Sequence, residues 1–203
     1  MSEAALEPAQ DRQRLVGSAR AISWIGHPLV FISVAVGVIV GLRLANRAGL
    51  TVLLTLLVCI VVPMALLLFG GVRSGRWSDA DVSARKERTR FYPRAIPISA
   101  IGVIALWFMR APAFALRGAI ATLALLIISA LINFRIKLSL HALFSVYSSV
   151  ILFSVNVIAG SIAIALALLV FWSRLYLGRH DVTEMITGTL LGLAGGIGVA
   201  WWP

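Results

Sequence analysis

Between two long apolar stretches lies a short polar island, Ser173-Arg174-Leu175-Tyr176-Leu177-Gly178-Arg179-His180-Asp181-Val182-Thr183-Glu184. Its two arginines, histidine and two acids stand at a membrane boundary. Ionisable side chains are costly there unless paired or hydrated, and mark a functional site by default. Planar guanidinium groups meet the dense negative charge of a phosphate with paired, charge-assisted hydrogen bonds. A neutral imidazole can attack phosphorus if its other ring nitrogen is oriented by an acceptor. Glu184, four residues after His180, shares its helical face and can be that acceptor.

Two further segments carry related chemistry. In Lys137-Leu138-Ser139-Leu140-His141-Ala142 a histidine opens an apolar run directly after a basic residue, 39 residues before His180. Alone, this triplet reads equally as a helix-capping serine followed by an interfacial histidine. In Asp81-Val82-Ser83-Ala84-Arg85-Lys86-Glu87-Arg88-Thr89-Arg90-Phe91-Tyr92-Pro93-Arg94, Asp81, Arg85, Arg88 and Tyr92 recur at helical steps and fall on one face. Arg85 and Arg88 can then clamp one phosphate while Asp81 holds one of them. The competing reading of this basic loop is a topology signal that meets anionic headgroups.

The elements that must position these residues follow from composition. Of 203 residues, 60% are hydrophobic and 13% charged, and mean hydropathy is +0.97. A soluble domain is nearer half apolar and a quarter charged. The expectation is an all-α, polytopic transmembrane helical bundle of six or seven spans, since a span takes about 20 residues. Residues 1–21 read as a solvated tail and 22–203 as a single membrane-embedded domain. Spans are expected near 22–42, 50–70, 95–109, 113–134 and 184–202. The uncharged stretch from Ala142 to Trp172 would be about 46 Å long as one helix. That is too long for a hydrocarbon core of about 30 Å, so it should break near Asn156 and Gly160 into two short spans.

Seven spans put the three chemical segments on one side of the bilayer, with 14 of the 18 lysines and arginines. That bias predicts a cytoplasmic site, in a chain expected in a bacterial inner (plasma) membrane. Gly188, Gly192 and Gly196 form a four-residue stripe for close helix approach, inside the bundle or at a homo-oligomer contact. The lone Cys59 excludes an internal disulfide and a multi-cysteine metal site. His27, before Pro28 at the start of the first span, reads as an interfacial residue within reach of a headgroup.

The third segment, Ser-Arg, five residues, His, three residues, acid, closely resembles the third signature of the type 2 phosphatidic acid phosphatase superfamily. Ser139 and His141 look like its Pro-Ser-Gly-His signature, with Leu138 and Leu140 in the proline and glycine positions. The first signature, Lys, six residues, Arg-Pro, is the least faithful: aligned on Pro93, Arg85 takes the lysine position and Tyr92 the arginine position. The resemblance spans about residues 81 to 196. It implies a membrane phosphatase acting on a lipid phosphate monoester or an isoprenoid mono- or diphosphate, through a phosphohistidine and without metal or other cofactor. It assigns His180 as nucleophile, Glu184 as its orienter and His141 as the acid that protonates the leaving alkoxide. Arg85, Arg88, Arg174, Ser139 and Lys137 would bind the substrate phosphate. The partners implied are the bilayer and its lipid phosphate, not nucleic acid. The alternative is a catalytically silent member of the same fold that binds lipid phosphates or scaffolds a complex, for which Tyr92 in place of arginine speaks. An intramembrane prenyltransferase would need two aspartate-rich clusters for magnesium, and the acids Asp81, Glu87, Asp181 and Glu184 do not form them.

Overall fold

The longest uncharged stretch of the chain breaks at Asn156. This residue ends one helix with its backbone N–H on Leu152 and starts the next by accepting a 2.9 Å hydrogen bond from the Ala159 N–H on its side-chain oxygen. A short polar side chain that caps a helix start stabilises the break it occupies. Gly160 then lies so close to the backbone of Phe153 that a Cβ there would collide with it. The expected break near Asn156 and Gly160 is therefore a tight helical hairpin.

The computed structural model describes residues 7–44 and 47–201, and among these the regular structure is helical. In chain order the helices are α1 (Glu7–Ile25), α2 (Pro28–Arg43), α3 (Arg47–Leu56), a π-helical turn (Leu57–Val61), α4 (Val62–Arg73), α5 (Arg85–Phe108), α6 (Ala113–Ile132), α7 (Leu140–Val155), α8 (Val157–Tyr176) and α9 (Val182–Ala200). Five segments are long and apolar enough to cross a membrane: Arg47–Arg73, α5, α6, α8 and α9. A sixth results if the pair Asp11–Ile25 and Pro28–Arg43, bent by 54°, counts as one span. The described chain is thus all-helical, with five or six segments long and apolar enough to cross a membrane.

The structure changes or adds to the expectations at three places. Seven full spans do not form, because α7 has only 16 residues, about 24 Å of rise against a hydrocarbon core of about 30 Å. Instead α7 lies inside the bundle, with ten of its residues buried among α2, α8 and α9. The stretch read as a solvated tail is helical from Glu7 and largely exposed from Asp11 to Ser18, and α1 packs on α8 through its later turns, with Ala19 and Ser23 buried; residues 1–6 lie outside the described residues. The helix expected from about residue 95 begins at Arg85 and carries Pro93 and Pro97 in its interior. Arginine, lysine and glutamate are good helix formers, which lets its polar first turns continue into the apolar span.

The glycine stripe of α9 is used within the chain. Gly188 sits against the backbone carbonyl of Ser139, the cap of α7, and Gly192 and Gly196 against the Leu143 carbonyl and Val150 on α7, and a Cβ at any of the three would clash. The stripe is buried and is not a free face for a second copy. It brings the start of α9 against the start of α7, where the Ser139 N–H donates to the Glu184 carbonyl at 3.0 Å. At the α1–α2 bend, the bare Cα of Gly26 similarly admits Val170 of α8.

Candidate active site

Every chemically rich segment meets at one end of the bundle. His180 lies in the turn between α8 and α9, where Gly178 adopts a left-handed φ of 61°, a conformation open to glycine at little cost. Asp181 caps α9 by accepting from the Glu184 N–H at 2.8 Å. The first turn of α9 then carries Glu184 to the ring of His180, with Oε2 2.6 Å from Nδ1. The carboxylate accepts the Nδ1 proton and leaves Nε2 with a lone pair. His180 Nε2 is buried and has no hydrogen-bond partner among the described residues.

Burial lowers the proton affinity of His180 most, and the charges of Arg88, Arg174 and Lys137, with His141, lower it further, from an ordinary 6.5 to about 2. The Glu184 carboxylate opposes this, as an adjacent anion must, but burial and the surrounding cations prevail. The imidazole is neutral at physiological pH.

Arg174, at the end of α8, is 1% exposed. Its Nη1 donates to Asp81 Oδ2 and to Ser23 Oγ, each at 2.6 Å, while Nε and Nη2 are buried without a hydrogen-bond partner among the described residues. A buried charge of this kind needs a counter-ion, and Asp81 supplies it. Asp81 also places Oδ1 3.5 Å from His141 Nε2 and 3.9 Å from His27 Nε2.

The loop that carries Asp81 is held from several sides. Trp77 is buried over Gly71 and donates from Nε1 to the Leu67 carbonyl at 3.0 Å. Asp79 accepts from Ser83 and from Arg179, the latter at 2.8 Å, and so ties this loop to the His180 turn. Val82 is buried with φ 49°. A β-branched residue in that region is strained and persists only where its surroundings fix it. Its carbonyl accepts from Arg88 Nε at 3.0 Å, and Arg88 Nη1 donates to the Leu138 carbonyl.

The sequence-expected residues thus separate into two groups. His180, Glu184, His141, Arg88 and Arg174 come together. Arg85 does not join them: its side chain is exposed and caps the end of α6 by donating to the carbonyls of Asn133 and Phe134. Asp81 lies before α5 rather than on its face, and holds Arg174 instead of Arg85 or Arg88. Ser139 caps α7, its Oγ accepting from the Ala142 N–H at 3.3 Å. Lys137 lies 3.2 Å from Glu184 Oε2 and donates to the Arg179 carbonyl. Lys137 thus stands beside the His180–Glu184 pair, and the Ser139 N–H joins the α7 start to α9.

Two members of the cluster were not assigned to it from sequence. Ser23 carries no signal, being one serine at the start of an apolar stretch. His27 was legible only as an ionisable residue at a span boundary. Its Nδ1 accepts from the Leu29 N–H at 3.2 Å, so Nε2 carries the proton and faces the Ala80 carbonyl at 3.4 Å. Its ring stands edge-on to that of His141, with centroids 5.6 Å apart. No family model matches the chain, and neither a curated protein nor a solved structure matches it.

Proposed function

We propose that the protein is an integral membrane phosphatase that cleaves the phosphate ester of an apolar alcohol through a phosphohistidine on His180. One observation carries this reading. A neutral, buried imidazole has Nδ1 fixed by Glu184 and Nε2 unengaged, beside a buried arginine with two unengaged nitrogens. A structural histidine and arginine would satisfy those atoms within the fold, because leaving them unpaired costs about 1–3 kcal/mol each. A phosphoryl group accepts from Arg174 Nε and Nη2 and presents phosphorus to His180 Nε2. The starts of α5, α7 and α9 lie at the same end, and helix N-termini favour an anion.

In the first step the Nε2 lone pair forms a bond to phosphorus as the bond from phosphorus to the alcohol oxygen breaks. The proton shared between His141 Nε2 and Asp81 Oδ1, 3.5 Å apart, passes from His141 to the departing alkoxide. Water then attacks the phosphohistidine, His141 takes a proton from that water, and phosphate leaves. Asp81 is positioned to stabilise the protonated His141. The silent-binder reading keeps support from Tyr92, a buried neutral residue where the family pattern has arginine.

Phosphate release from a set of lipid phosphates by the purified protein in detergent, with a chelator present, tests the proposal. His180→Ala should abolish turnover while retaining phosphate-analogue binding; activity within about tenfold of the parent would remove the nucleophile assignment. His141→Ala should lose far more activity on an alkyl phosphate than on an aryl phosphate, whose leaving group needs little protonation.

A further inference from the structure

Asp81 faces three other ionisable side chains. Its Oδ2 accepts from Arg174 Nη1 at 2.6 Å, while Oδ1 faces two imidazoles, with His141 Nε2 at 3.5 Å and His27 Nε2 at 3.9 Å. The two rings meet edge to face, and both line the cavity that runs along α2 below the cluster. Arg174 and His141 belong to the segments that carry the phosphatase resemblance. His27 lies far upstream of residue 81, where that resemblance begins, at the bend between α1 and α2.

The bend fixes this ring at both nitrogens. Pro28, the first residue of α2, has no N–H, so the Leu29 N–H is the one that a cap must satisfy. His27 Nδ1 accepts it at 3.2 Å, which puts the ring proton on Nε2. That proton is directed at the Ala80 carbonyl, 3.4 Å away. On the other side of Asp81, the Val82 carbonyl accepts from Arg88 Nε at 3.0 Å. The backbone on either side of Asp81 is thus held, by His27 before it and by Arg88 after it. Val82 needs such support, since its φ of 49° is strained for a β-branched residue and persists only where its surroundings fix it.

His27 Nε2 is too far from Oδ1 for a hydrogen bond of its own, so its hold on Asp81 runs through the backbone. The 3.5 Å between Oδ1 and His141 Nε2 also exceeds the usual N–H···O length of about 2.7–3.2 Å. A small displacement of the carboxylate therefore decides how well it shares a proton with His141. Arg174 keeps Oδ2 in place, so loss of the Ala80 tie frees Oδ1 without releasing the ion pair.

We propose that His27 is a positioning residue for the proton of His141: by holding the Ala80 carbonyl it keeps Asp81 Oδ1 on His141 Nε2. The use of that proton on a departing alcohol rests on the phosphatase reading, and the tie among the three residues rests on geometry alone.

Asparagine and glutamine separate the two tasks of the His27 ring. Asparagine keeps an acceptor close to the Nδ1 position, where it caps α2, but does not reach Ala80; glutamine carries an amide N–H out to the Nε2 position. His27→Asn should lower kcat on dodecyl phosphate by about tenfold and on p-nitrophenyl phosphate by less than about twofold, because nitrophenolate leaves without an acid. His27→Gln should restore the dodecyl phosphate value to within about threefold of the parent. Should His27→Asn fold poorly, His27→Ser, which also caps a helix but is shorter still, takes its place.

Imidazole-nitrogen NMR in detergent gives a readout independent of turnover, since the chain has three histidines and single variants assign them. The His141 Nε2 resonance should differ between His27→Asn and His27→Gln, with His27→Gln the nearer to the parent. Both variants lack the His27 ring, so its ring current does not account for that difference. Equal losses on the two phosphates, or the same His141 resonance in both variants, overturn the inference and leave the phosphatase reading standing. A His141 resonance that differs as expected, in a parent that releases phosphate from neither substrate, overturns the phosphatase reading and leaves His27 as the support of the Asp81–His141 contact.

Discussion

Asp81 and Arg174, 93 residues apart in sequence, share a 2.6 Å ion pair in which the arginine is 1% exposed. The pair joins the loop before α5 to the end of α8 and brings the Asp81 carboxylate to His141 and His27. Removing one partner of such a pair leaves the other buried and uncompensated, which costs about 3–5 kcal/mol. Asp81→Asn should therefore lower the thermal midpoint in detergent clearly. Ser23→Ala, which removes one neutral acceptor from the same nitrogen at a cost of about 1.5–3 kcal/mol, should lower the midpoint less. Equal midpoints for Asp81→Asn and the parent would show that Arg174 finds its counter-charge elsewhere.

Arg85 and Arg88, three residues apart, should behave as different kinds of residue. Arg88→Ala removes a buried guanidinium from the cluster and should cost about 2–4 kcal/mol in transition-state stabilisation, together with stability. Arg85→Ala loses exposed bonds to the end of α6 and should change kcat/KM less than about threefold. Steady-state kinetics of the two variants on one substrate decide the matter. A severe loss with Arg85→Ala would return it to the phosphate clamp.

The His180 environment makes a pH prediction whose sign is fixed. The folded pKa lies below the ordinary 6.5, so the imidazole binds a proton more readily in the unfolded chain. Its contribution to stability is complete above about pH 6.5 and declines as pH falls from there toward the folded value near 2. The thermal midpoint of the parent should therefore fall more steeply than that of His180→Gln between about pH 7 and pH 5. Parallel curves would mean that the ring protonates in place.

Gly192→Ala tests the contact that brings the α7 and α9 ends together. The added Cβ meets the Leu143 carbonyl and neighbouring backbone, which cannot rotate away as a side chain can. Overpacking of this kind costs about 1–3 kcal/mol. Gly198→Ala, on the same helix with open space around it, should leave the midpoint unchanged or slightly raised, as alanine is the better helix former. A loss of similar size at both positions would deny the close packing.

Several features were legible because they depend on neighbours in the chain. Long apolar runs imply helices wherever a backbone in lipid must satisfy itself. Asn156 inside an uncharged stretch marked a break, and the spacing paired His180 with Glu184, although His180 reaches it from the turn before α9 and not from a shared helical face. Other features depend on distance through space, which composition and periodicity do not encode. The sequence places Asp81, Arg85 and Arg88 at helical steps, yet the chain turns through a strained Val82 before α5 begins, which sends Asp81 to Arg174 and leaves Arg85 at the end of α6. Ser139 has the same local signal whether it caps a helix or binds phosphate, and the structure adds the capping bond that Oγ accepts from the Ala142 N–H. The short central α7 and the places of Ser23 and His27 came from how the helices pack, because a buried polar group takes the partner that tertiary structure brings within about 3 Å, however far away it lies in sequence.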